Sequence, residues 1–208
     1  MRFPRPRSVV LLTPPVVEPV PLDLAKSQCG LVPEQQDDDT LLLSLIATAR
    51  RLCERRLGQS LVATQYRAKW GFPANAPGAY VDESTRWPIG VELPNPPLLV
   101  SEAYPISITV DGVAMAAGSY ALDTDCRPAL LRFNVQPGLG WSGGELSVTY
   151  WAGVAPGGIV SPQVRSAMLL IVRHLYDNRS AVPTDTSAIV LPMAVETLLA
   201  SESIDGRY

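Results

Sequence analysis

The chain has one histidine and three cysteines in 208 residues. Each scarcity removes a class of chemistry. With His174 as the sole histidine, an acyl-transfer triad would have to use it, oriented by a carboxylate. Asp177 stands three residues along the same expected helix, and no G-x-S-x-G elbow occurs. The residues therefore favour a packed or interface histidine over a catalytic one. A zinc centre needs about four Cys or His ligands at short spacings. Cys29, Cys53 and Cys126 are far apart and odd in number, which fits reduced thiols better than a disulfide framework or a metal site. The formal net charge is only −3, so no strong general attraction to nucleic acid or anionic membrane is implied. No apolar run approaches the ~20 residues needed to span a bilayer. The opening MRFPRPRSVVLLTPP has basic residues and a short apolar run, but prolines follow at once, so it does not read as a signal segment.

Other motifs also have bland readings. Asp37, Asp38 and Asp39 lack the ligand pattern and central glycine of a calcium loop, and they suit helix capping. Gly138, Gly140, Gly143 and Gly144 precede a strand, whereas a phosphate loop needs glycines after one, with a lysine and a helix following. They read as a turn.

Apolar residues make up 47% of the chain, enough for a sizeable core. Twenty prolines are about twice the usual share and favour turns and extended segments. The clearest helix signal is Ser161 to Asn178. Ser161 is a good N-cap, Pro162 suits the first helical position, and Val164, Met168, Ile171, Val172 and Leu175 recur at helical spacing. Ala167, Leu169 and Leu170 widen the stripe around most of the circumference, which predicts a buried helix or a subunit contact at Met168, Ile171, His174 and Leu175. A second helix should run from the aspartates to Leu57 and stop at Gly58. Its second half holds the only concentrated basic feature, Arg50, Arg51, Arg55 and Arg56. This is either a solvated face or a surface that meets phosphates. Shorter helices are expected over Leu22–Gln28 and after Pro192.

Between them the period changes from 3.6 to 2. Val62–Trp70 and Glu145–Trp151 alternate, as does Pro105–Val110 before the hairpin signal Asp111-Gly112. Tyr120–Asp123 and Ala129–Phe133 are further strand candidates. Phe72 to Trp87 and Arg179 to Val190 read as loops. The expected fold is α+β: a small helical bundle with an inserted antiparallel β lobe and extended termini. The boundaries are an extended N-terminal arm over 1–20, a helical core over 21–60 and 159–200, a β lobe over 61–158, and a tail over 201–208.

Several segments, in order, resemble the head–tail connector proteins of tailed phages, also called head-completion adaptors. LLTPPVVEPVPLDLAKSQCGL resembles the family's opening, and an acidic start to a long helix follows at Asp38 to Leu41. LPNPPLLVSEAYPISITVDG, VTYWAG, HLYDNR and LPMAVETLL then match in the family's order. The likeness covers roughly 11–200, and its last two segments are the most specific. Asn95 stands where the family often has arginine, and the end ASESIDGRY keeps only a loose likeness to the family's ending.

The resemblance implies a structural protein of the neck of a phage or gene transfer agent particle, without enzymatic activity or cofactor. It implies a ring of typically twelve copies under the portal protein, assembled in the bacterial cytoplasm, extending the DNA channel toward the tail. Partners would be the portal, further neck proteins such as a stopper or tail terminator, other copies of itself and passing double-stranded DNA, with no membrane. A ring needs a heterologous interface, two different patches pairing head to tail. On this reading Ile204, Arg207 and Tyr208 reach the portal, and Arg50, Arg51, Arg55 and Arg56 face the channel. The alternatives are a nucleic-acid-binding module using the Arg50–Arg56 face and an enzyme using His174.

Overall fold

The computed structural model describes residues 3–73, 90–133, 143–178 and 193–202. The fold is α+β. Two compact units are present. One combines Met1–Pro15 with Ala63–Ala155, the other Val16–Val62 with Pro156–Tyr208.

The second unit is helical. Its elements are α1 (Leu22–Cys29), α2 (Asp39–Leu57), α3 (Pro162–Asp177) and α4 (Met193–Ala200). The stripe read from the sequence is the face that packs: Leu42, Ile46, Ala49 and Cys53 of α2 meet Val164, Met168, Ile171 and Val172 of α3, all fully buried or nearly so. Val195 and Leu199 of α4 and Val20 and Ala25 complete the core. Each buried aliphatic contributes about 1.5–3 kcal/mol. Gly58 ends α2 in the left-handed region (φ 66°), which an L side chain rarely adopts. Met168 and Ile171 are thus interior residues of the helical unit, the buried one of the two alternatives that the sequence leaves open. Of that set only His174 and Leu175 keep partial exposure.

Ser161 and Asp38 stand at the N-cap positions of α3 and α2 as expected, and Asp39 puts acidity in the first turn, but neither cap side chain bonds a first-turn amide. The Ser161 hydroxyl donates to Gln163 Oε1 (2.7 Å) and caps no first-turn amide. Asp38 and Asp39 are claimed by other elements: Asp38 Oδ2 accepts from the Tyr176 hydroxyl of α3 (2.6 Å), and Asp39 pairs with the buried Lys26 of α1 (2.7 Å). These aspartates therefore fasten α2 to its neighbours.

The first unit is built from strands. β2 (Thr64–Pro73) and β9 (Gly143–Ala152) form a ten-residue antiparallel pair at its centre. β1 (Ser8–Thr13) flanks β2, and β5 (Ser107–Val110) flanks β9, with β6 (Val113–Ala114) outermost and β4 (Leu98–Leu99) also on β9. A smaller sheet has the order β3 (Gly90–Glu92), β8 (Leu130–Phe133), β7 (Tyr120–Asp123). Period-2 alternation buries Ala68 and Trp70 of β2 and Leu146, Val148 and Tyr150 of β9. Val91, Leu93 and Leu131 join them in one core. Asp111 (φ 50°) and Gly112 (φ 82°) make the two-residue turn between β5 and β6. The arm expected over 1–20 is divided: residues 8–13 are a paired strand of the sheet unit, while Val20 is buried among the helices. Phe72 and Pro73, expected in a loop, continue β2.

Candidate functional site

α2 places its four arginines on two faces, because a helix turns by 3.6 residues. Arg50 points with Ile46, Ala49 and Cys53 toward the interior and is 5% exposed. A buried guanidinium needs partners. Its Nε donates to Glu18 Oε2 (2.9 Å), and its Nη1 donates to Glu54 Oε2 (2.7 Å) one turn along α2. The other carboxylate oxygen of Glu54 accepts the backbone N–H of Leu61 (3.0 Å). Burial pushes the Glu54 carboxyl above its ordinary range, against the opposing pull of the Leu61 amide and of Arg50. Burial, with a smaller contribution from Glu54, pushes the Cys53 thiol up to about 12, so it is an inert core group.

Arg50 is therefore withdrawn from the channel-facing set: it is a buried brace between the segment before α1 and the end of α2. Arg51, Arg55 and Arg56 are exposed. Arg56 Nε donates to Glu196 Oε2 of α4 (2.7 Å). Arg51 and Arg55 form no ion pair among the described residues. One turn apart, they are the part of the cluster that can offer positive charge outward.

On α3, the Arg173 Nε donates to Asp177 Oδ2 (2.6 Å), while Asn178 lies beside His174, with its Nδ2 donating to the His174 carbonyl (2.7 Å). The carboxylate that a catalytic reading would assign to His174 is thus held by Arg173. Among the described residues no group of three His, Cys, Asp or Glu is placed to hold a metal ion, and no helix is long and apolar enough to cross a membrane. Ile204, Arg207 and Tyr208 lie outside the described residues, as does most of the segment between α3 and α4.

The sheet unit holds a feature that sequence reading did not single out. Val9, Val10, Leu11 and Leu12 of β1 are each 39–43% exposed. Alternation should hide every second side chain of such a strand, yet no residue of β1 is buried. It is fastened to β2: Arg7 N, just before the strand, donates to Lys69 O (2.7 Å), and the Thr13 hydroxyl donates to Gln65 Oε1 (2.8 Å). The signal was present in the sequence as an uninterrupted V-V-L-L between polar residues.

No family's sequence profile matches the chain, and no curated protein matches it in sequence. Solved structures do match its fold. A chain from the neck of an empty GTA particle, computed with C6 symmetry, superposes with a TM-score of 0.68 at 18% identity, over 94% of this chain and 95% of that one. A chain of the virion of a native gene transfer agent particle gives 0.66 at 17% identity, covering 94% of each. A chain from the neck of a native GTA particle, computed with C12 symmetry, gives 0.60 at 18% identity, over 93% of this chain and 94% of that one. The protein has the same fold as these chains, over nearly its whole length.

Proposed function

We propose that this protein is a structural component of the neck of a phage-like particle, an adaptor that forms a ring beneath the portal and extends the DNA channel toward the tail. One observation carries the reading: the likeness to GTA neck chains spans both units and almost all of either chain. A fold does not by itself fix a function. The ordered segments that resemble head–tail connectors point the same way independently of the superposition. The symmetries under which the matching necks were computed suit a ring of twelve copies.

In this ring Arg51 and Arg55 are the α2 residues that meet DNA phosphates. The tail over 201–208, with Ile204, Arg207 and Tyr208, docks on the portal. Tyrosine and arginine are common interface anchors, and many tails engaging at once would offset weak binding by each. His174 and Leu175 are available to a neighbouring subunit at the end of α3.

The test is reconstitution. Purified protein mixed with portal rings should add a ring of density on the tail-proximal side in negative-stain images. Deleting residues 201–208 should leave a folded protein that no longer docks stably. Portal rings that never acquire this protein would refute the adaptor role, and undiminished docking by the truncated chain would refute the role of the tail. The nucleic-acid-binding alternative is weakened because Arg50 and Arg56 are already paired within the subunit.

A further inference from the structure

We propose that β1 is one half of the contact between adjacent copies, and that it pairs in parallel with β6 of the next copy. The proposal rests on the ring reading above and names the surfaces that close the ring.

The open edge of β1 is the starting point. Exposed strand edges template pairing with other chains, and proteins usually blunt them with charge, proline or a short strand. β1 is six residues long and carries neither charge nor proline within Ser8–Thr13. Its four consecutive aliphatics show to both faces, which is the pattern of a strand covered on both sides. Among the described residues it pairs only with β2.

The same sheet supplies the complement. Its opposite end is β6, both residues of which are exposed, Val113 at 71%. A heterologous ring contact needs two different patches on each copy, and the two ends of one sheet meet that need. Strand polarity then decides the geometry. Along β1-β2-β9-β5-β6 every pairing is antiparallel, so four reversals leave β6 running in the same direction as β1. Adjacent copies in a twelvefold ring differ by one-twelfth of a turn, too little to reverse a strand. With the twist of the sheet, about 20–25° per strand, taken up across the contact, the polarity assigns β1 and the neighbouring β6 a parallel pairing.

Parallel alignment brings the two strand starts together. Arg5 and Arg7, both exposed, lie just before β1, and the exposed Asp111, whose Oδ1 accepts from the Glu145 backbone N–H (2.7 Å) in its own subunit and whose carboxylate keeps its charge, lies just before β6. Opposite charges thus fall at the same end, which favours this polarity and fixes the sense of approach. β6 is short, so the ladder contributes few hydrogen bonds, and the aliphatic side chains of β1 supply the rest of the contact. Capture of the same edge by portal or another neck chain is a separate outcome of the test.

In a Cys126→Ser background, which removes the exposed native thiol, Val10→Cys is combined with Ala114→Cys. A second pair, Val9→Cys with Ala114→Cys, covers the neighbouring register. Within one copy β1 and β6 are separated by three strands, about 19 Å along the sheet at ~4.8 Å per strand. A disulfide needs Cα atoms within about 7 Å, so a bond between these positions joins two copies. Circular dichroism confirms folding of each variant, and negative-stain imaging with portal confirms rings. Mild oxidation of the double variants on portal should give a ladder of covalent oligomers, and either single variant alone should give none. Mixing the two single-cysteine chains should give dimers and nothing longer. Rings by imaging with no ladder in either register would overturn the strand contact and leave the ring reading intact. So would a Val10→Cys chain that links to itself or to portal. Absence of rings would overturn both.

Discussion

Replacing Arg50 with methionine removes the only positive charge between two carboxylates. Glu18 and Glu54 retain 24% and 14% of their side-chain exposure. Removing one partner of a buried ion pair costs about 3–5 kcal/mol, because the other charge is left uncompensated. Partial access of water to Glu18 places the expected loss near the lower end, about 3 kcal/mol. For a protein of this size that lowers the melting temperature by roughly 6–12 °C. Because the two units need not unfold together, the assay is helical ellipticity during thermal or denaturant unfolding, which reports the helical unit. The loss also depends on pH. The Glu54 carboxyl is raised in the folded protein above its ordinary 4.5. The folded state therefore binds more protons between 4.5 and the raised value. Stability from this group is fully present below 4.5 and is lost as pH rises through the raised value. Arg50 pulls that value down, so its removal widens the window upward. The deficit of Arg50→Met should be larger at pH 8 than at pH 5. Arg51→Met, on the exposed face of the same helix, should change stability by no more than about 0.5 kcal/mol. A loss below about 1 kcal/mol at pH 8, or the same loss at both pH values, would show that Arg50 is not the buried brace described.

Tyr176→Phe removes the hydroxyl bond to Asp38 and should destabilise the helical unit by about 1.5–3 kcal/mol, read from the denaturant midpoint. Ellman's reagent should titrate one thiol rapidly in the native protein, Cys126, and all three after denaturation; rapid native reaction of Cys53 would contradict its burial. A methyl group at residue 90 would stand 2.7 Å from the Leu131 carbonyl oxygen. Gly90→Ala should therefore cost about 1–3 kcal/mol by forcing β3 away from β8, followed by near-ultraviolet dichroism.

Period and punctuation made much of this fold readable. α2 and α3 announce themselves by apolar spacing and by Gly58 and Pro162, and β2, β5 and β9 by strict alternation. β3 and β4 were missed because strands of three and two residues carry no measurable period, and β4 follows the proline-rich stretch before Leu98. β1 was readable as extended but not as paired, since its partner lies more than fifty residues away in sequence. Polar partnerships were the least legible. The aspartates before α2 look like caps by local rules, and only the folded chain brings Tyr176 and Lys26 to them. Arg50 looked like its neighbours because its partner Glu18 is thirty-two residues distant. Exposure of charge along a helix depends on which face tertiary packing hides, and the string R-R-x-x-x-R-R does not state that.

The threading of the chain between its two units carries a consequence for synthesis. The polypeptide passes from sheet to helices after Pro15, returns after Val62 and leaves again after Ala155. β9, the central partner of β2, is made only after residue 142, and α3 and α4 reach the ribosome exit later still. At about 5–20 residues per second, roughly 6–24 s separate completion of α2 from that of α3, and during this time the apolar face of α2 lacks its main cover. The sheet unit is complete in sequence at Ala155, so its core can close while the last helices are still being made, whereas the helical unit must wait for α3 and α4. The order of closure, sheet before helices, is thus built into the connectivity.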